Sequence, residues 1–173
     1  LECLEKAYEL ARKVGDIGYQ SWTGLVLAWN YIGMGNMNKS VLFAEESVAL
    51  DRKAGSLTHL PSSMAGLGIV YQVLGEWDSS EQCYKEASSI SHGASDWQAV
   101  WAIQWAEGWL NLEKGEYGKA RVSLEKACEV CEKAGAKSDQ ISTYRWLIWT
   151  YIELGENEKA DRLIDDMQKF ALE

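Results

Sequence analysis

Glycine recurs in this chain at intervals of forty residues. Gly35, Gly75, Gly115 and Gly155 stand in the contexts MGNM, LGEW, KGEY and LGEN; a second series, Gly15, Gly55 and Gly135, keeps the same period, with Ser95 at the missing place and Gly93 nearby. Self-similarity at such a period means one supersecondary unit used repeatedly, its apolar face buried by stacking on its neighbours. Two glycines per period suit an array of helical hairpins, because the residue after a helix commonly takes a left-handed conformation that glycine adopts without steric cost.

Between the glycines the apolar residues keep a helical spacing, as in Leu147, Ile148, Tyr151, Ile152 and Leu154, and strand-like alternation is missing. Asp16, Ser56 or Thr58, Asp96, and Ser138 or Asp139 are short polar residues able to accept an unpaired N–H at a helix start. The spacing predicts a leading helix over about 2–14, first helices of four pairs over about 18–34, 58–74, 97–114 and 138–154, and second helices over about 37–54, 77–92, 117–134 and 157–172. The chain therefore reads as one all-α repeat domain over 1–173: a half-repeat, 1–15, then repeats 16–55, 56–95, 96–135 and 136–173. It starts in mid-helix at Leu1 and reads as part of a longer protein.

These repeats resemble the tetratricopeptide repeat family. That pattern sets a small residue and then an aromatic in the first helix, glycine in the turn, an aromatic soon after, and alanine with a large apolar residue in the second helix. The second repeat offers Leu67, Gly68, Tyr71, Gly75, Trp77, Tyr84 and Ala87, with Ser80 where alanine is usual; the third offers Gly108, Gly115, Tyr117, Ala120, Leu124 and Ala127, with Asn111 in place of the aromatic. The first keeps Leu27, Ala28, Tyr31 and Gly35, and the fourth Leu147, Tyr151, Gly155 and Ala160, so the resemblance spans the chain. It departs in period, forty instead of about thirty-four, and in having no proline at the end of the second helix. This longer variety is similar to repeats of bacterial and archaeal signal-sensing regulators. The resemblance implies a right-handed superhelical α-solenoid of about nine helices, in which first helices line a concave inner face.

Charge and aromatic residues are unevenly shared. Residues 18–34 and 58–74 hold no Lys, Arg, Asp or Glu, and eight of the nine tryptophans lie on first helices. Together with the resemblance, this implies an inner groove that is aromatic and nearly uncharged. Aligned by the forty-residue period, Leu27, Ala28, Tyr31, Leu67, Gly68, Tyr71, Gly108, Leu112, Tyr144, Leu147, Ile148 and Tyr151 fall between paired helices. Trp22, Leu25, Trp29, Ile69, Gln72, Trp105, Trp109, Arg145 and Trp149 fall on the inner face, where Trp29, Ile69, Trp109 and Trp149 share one equivalent place and form a ladder. Burial of one tryptophan is worth on the order of 4 to 6 kcal/mol, so a packed seam competes with an open ladder as its explanation. Trp97 and Trp101 are expected to pack between hairpins, because steps of four residues rotate around a helix.

No constellation of catalytic type stands out. Cys128 and Cys131 form a C-x-x-C inside a predicted helix, and the period places Val48 and Asp51 at the matching positions of the first repeat, so both read as core cysteines. His59 and His92 stand alone, one at a helix start and one at a helix end. Asp165 and Asp166, like Glu45 and Glu46, fall on outer helices as solvated pairs. No cofactor, metal or catalytic residue is expected. A net charge of -9 without a basic stripe argues against nucleic acid, no run reaches the roughly 18 apolar residues a membrane span needs, and four irregular cysteines suit a reducing, cytoplasmic setting. The expected function is noncatalytic binding of a peptide or helix of a protein partner in the groove. A second reading is a small-ligand sensor, for example of an oligosaccharide, within a multidomain regulator, using Gln72, Gln104 and Arg145 beside the ladder. The last helix, with Leu163, Ile164, Met167, Phe170 and Leu172, offers a route to self-association.

Overall fold

The computed structural model describes residues 1–91 and 97–170. Among them every regular element is an α-helix: α1 (Glu2–Val14), α2 (Ile17–Gly33), α3 (Met37–Ala54), α4 (Leu60–Val73), α5 (Trp77–Ser91), α6 (Trp97–Glu113), α7 (Tyr117–Ala134), α8 (Lys137–Glu153) and α9 (Asn157–Phe170). The expected helices are all present, with described ends within a residue or two of those read from the spacing. Backbone proximity divides the chain into two compact units, Leu1–Ala99 and Val100–Glu173.

The glycine period acts as the spacing predicts. Gly15, Gly35, Gly55, Gly75, Gly115, Gly135 and Gly155 all have positive φ, between 64 and 79°. One residue later the chain turns its N–H back onto the helix just ended: Asn36 to Tyr31 O (2.9 Å), Glu76 to Tyr71 O (2.9 Å), Glu116 to Asn111 O (2.8 Å) and Glu156 to Tyr151 O (2.8 Å). Gly93 and Ser95 lie outside the described residues.

The helix starts differ more from expectation. Asp16 caps α2, its Oδ1 accepting from Tyr19 N–H at 2.9 Å, and Asn36 caps α3 by accepting from Lys39 N–H at 3.2 Å. Helix α4 begins at Leu60 with His59 in the cap position; Ser56 Oγ accepts from His59 N–H at 3.3 Å, one turn too early to cap the helix itself. Helix α8 begins at Lys137 after Ala136 with no side-chain cap, so Ser138 and Asp139 sit inside the first turn, where Asp139 favours the positive end of the helix dipole. Asp96 and His92 lie outside the described residues.

In the first unit, Tyr8, Leu27 and Tyr31 form a core with Phe43, whose ring stacks on Tyr31 at 5.6 Å and meets Tyr8 edge-on at 5.2 Å. Helices α4 and α5 close at Gly68, where a Cβ would come within 2.4 Å of the buried Tyr84 ring. Asp51, fully buried on α3, binds α2 and α4 through one oxygen: Oδ2 accepts from Ser21 Oγ at 2.7 Å and from Ser63 Oγ, while Oδ1 has no partner among the described residues. In the second unit, Leu124, Cys128, Tyr144, Leu147, Tyr151 and Ala160 form the core. Gly108 admits Leu124, whose Cγ would lie 2.5 Å from a Cβ there. Leu163 and Met167 of α9 pack onto this core, which leaves Ile164 as the exposed apolar residue among those three. The Phe170 side chain and Leu172 lie outside the described residues.

A recurring bond ties three of the first helices, α2, α4 and α8, to the preceding second helix. The Tyr31 hydroxyl donates to Glu5, that of Tyr71 to Glu45 at 2.9 Å and that of Tyr151 to Glu125 at 2.9 Å, each pair separated by 26 residues. Burial beside these carboxylates pushes the Tyr71 hydroxyl up to about 12 and the Tyr151 hydroxyl higher still, so both remain donors at any physiological pH.

Candidate partner-binding surface

The nine inner-face candidates separate into exposed residues, half-buried residues and two that turn inward. In the first unit Trp22 and Trp29 on α2 are 56% and 49% exposed, and Tyr19 joins them with its ring 5.7 Å from that of Trp22. Ile69 on α4 is half-buried.

Leu25 and Gln72 are corrections to the sequence reading. Leu25 is buried because α4 presents glycine opposite it: a Cβ on Gly66 would lie 2.3 Å from Leu25 Cδ1, so the leucine fills the notch that the missing side chain leaves. Gln72 is 3% exposed and its Oε1 accepts from the Tyr84 hydroxyl at 2.9 Å, because a buried phenol needs an acceptor. A signal for this existed: Leu112, forty residues on, falls among the core positions, and Gln72 shares its place.

In the second unit, Trp105, Trp109, Arg145 and Trp149 come together around a residue that the period does not single out, Trp146. Its ring stacks on Trp109 (centroids 5.2 Å, planes 24° apart) and on Trp149 (6.0 Å, 18°), and meets Trp105 edge-on (6.4 Å, 73°). Trp105 also contacts Trp109 at 5.6 Å and Trp101 at 6.2 Å, giving five connected indoles. Trp101 Nε1 donates to Thr143 Oγ1 at 3.0 Å, which locks α6 to α8 in the inter-hairpin role expected of it. The residues equivalent to Trp146 are Val26, Gly66 and Ala106; small residues at a helix crossing conceal that the fourth repeat places its largest side chain there.

Depth sorts this cluster. Trp105 and Trp146 are half-buried, and their indole N–H groups are buried with no acceptor among the described groups. Trp109 is half-buried, whereas Trp149 is 50% exposed and its Nε1 donates to Glu153 at 3.0 Å. Arg145 is exposed, its guanidinium carbon 4.9 Å above the Trp146 ring. The cluster is thus a packed base of indoles with one broad aromatic face and one cation at its edge.

Other chemistry is quiet. Cys128 and Cys131 are buried and lie on the core side of α7; burial pushes the Cys128 thiol up to about 12 and Cys131 to about 11, the reverse of an activated thiolate. Cys83, also buried and pushed up to about 11, lines a recess of about 250 Å³ with Val48, Met64 and Leu67 beneath the Arg52–Glu86 ion pair. Among the described residues no group of three or more His, Cys, Asp and Glu could hold a metal ion, and no helix is long and apolar enough to cross a membrane. The oligosaccharide reading loses two of its hydrogen-bonding groups: Gln72 is taken by Tyr84, and Gln104 is buried and donates to Glu107 at 3.1 Å.

Residues 60–133 match the tetratricopeptide repeat family. No curated protein sequence matches the chain. Among solved structures it is similar to BtubC (BKLC) from P. vanneervenii (TM-score 0.76, 18% identity, covering 99% of this chain and 79% of that one). It is also similar to the nearly identical TPR-like repeats of a putative kinesin light chain from Podosopora anserina (0.64, 18%, 97% and 83%). A third likeness is to MamA protein (0.58, 17%, 97% and 90%). At these identities the likeness establishes the fold, an all-α repeat solenoid.

Proposed function

We propose that this tetratricopeptide-repeat chain is a noncatalytic protein-interaction module whose second unit receives a peptide or helix of a partner on the face formed by Trp109, Arg145 and Trp149. The repeat family serves generally as a scaffold for protein–protein contact, which supports the class of function. The observation that carries the finer reading is the state of Trp149. A tryptophan offers about 150–250 Å² for burial, so leaving half of one in water forgoes on the order of 2–3 kcal/mol. The indole is nonetheless held in place, stacked on Trp146 and bonded to Glu153. A stiff aromatic already fixed in one orientation loses little conformational freedom when a partner covers it, which is why such residues dominate interface energetics. Trp105 and Trp146 serve as the base that fixes it. Trp22 and Trp29 form a separate aromatic face on α2 in the first unit.

Panning a displayed library of random dodecapeptides against the chain tests this. Wild type should enrich a related set of sequences that Trp149→Ala fails to retain, with unchanged far-ultraviolet circular dichroism. A set retained equally by Trp149→Ala removes the reading.

A further inference from the structure

We infer that the surface on the second unit selects a peptide segment with a single carboxylate next to an apolar side chain, the carboxylate meeting the Arg145 guanidinium and the apolar side chain lying on Trp149. This rests on the reading that the surface receives a peptide, and adds the chemistry of what it receives.

The argument begins with where the arginines go. The chain has five, and acidic residues outnumber basic ones by 26 to 17, so carboxylates are plentiful. Arg12 pairs with Glu9, Arg52 with Glu86, Arg121 with Glu156 and Arg162 with Glu158. Among the described residues Arg145 pairs with no acid and instead lies over Trp146. Its helical neighbours at three and four residues, Ile141, Ser142, Ile148 and Trp149, are all uncharged. The ring engages the charge but supplies no oxygen to the five N–H donors of the guanidinium.

The surroundings reinforce an acceptor preference. The carboxylate of Glu153, on the same helix, is already bonded by Trp149. A guanidinium flanked by an aromatic plane matches a carboxylate in both charge and shape. The net charge of -9 then limits how acidic the partner is: a polyacidic tract meets repulsion from the mean field, and a cationic segment, drawn by that field, meets Arg145 at the contact. One acid beside one apolar anchor satisfies both terms.

The test uses the dodecapeptide library and its enriched sequences. Against the unselected library, the enriched set should be richer in Asp or Glu adjacent to a large apolar residue. Changing that Glu to Gln in a selected peptide should weaken binding to wild type by about tenfold, the effect of losing a charge-assisted hydrogen-bonded pair, and weaken binding to Arg145→Gln by less than about twofold. Enriched peptides whose acid can be amidated without loss, or a set without acids, overturn this inference and leave peptide binding intact. The absence of any enriched set overturns both.

Discussion

In both units tryptophans sit on the first helices, with Trp29, Trp109 and Trp149 at one matching place in the period, yet they end in different settings. On α2, Trp22 and Trp29 are seven residues apart and about half exposed, with the Tyr19 ring beside Trp22. On α6 and α8, Trp109 and Trp149, which share the register of Trp29, join Trp101, Trp105 and Trp146 in five connected indoles. The difference lies in what the next first helix presents. Helix α4 offers Gly66, which admits Leu25 into the interface and presents no ring at that place to the indoles of α2. Helix α8 offers Trp146 at that place, and it binds Trp105, Trp109 and Trp149 together. A tryptophan's role in a repeat array therefore depends less on its own register than on the size of the residue opposite.

That comparison has consequences of graded size. The largest is expected at the base of the second-unit cluster. Trp105→Ala removes contacts with Trp101, Trp109 and Trp146 and opens a cavity, and should cost about 3 kcal/mol in urea unfolding, the lower end for large aromatic truncations because the ring retains some exposure. A loss under about 1 kcal/mol would show that the cluster is a surface feature throughout and would erase the contrast between the units. The smallest is expected on α2. Trp22→Ala should change the unfolding free energy by no more than about 0.5 kcal/mol, as for a surface substitution away from packed features; a drop comparable to that of Trp105→Ala would mean that the two faces are built alike.

The fold was legible because backbone and burial requirements repeat. Glycine in a left-handed turn is dictated locally by φ, so Gly35, Gly75, Gly115 and Gly155 mark the helix ends without knowledge of tertiary structure. The helix starts were less legible: α8 uses no side-chain cap at all, so the polar residues nearby mislead by a residue or two. The surface was read in part. Trp22, Trp29, Arg145 and Trp149 are exposed, but Leu25, Gln72 and Trp146 each depend on a partner in another helix: Gly66, Tyr84 and Trp109 respectively. Alignment by period reports which way a side chain leaves its own helix; what it meets is set by the size and hydrogen-bonding needs of a residue about forty positions away or on the paired helix.

The central claim is that one connected group of indoles is divided into a packed base and an open contact. Urea unfolding of Trp149→Ala beside Trp105→Ala tests it most directly, without any partner. The account predicts that Trp149→Ala stays within about 1 kcal/mol of wild type while Trp105→Ala loses about 3 kcal/mol, with equal slopes against denaturant. Equal losses in the two variants would contradict it, because Trp149 would then belong to the core.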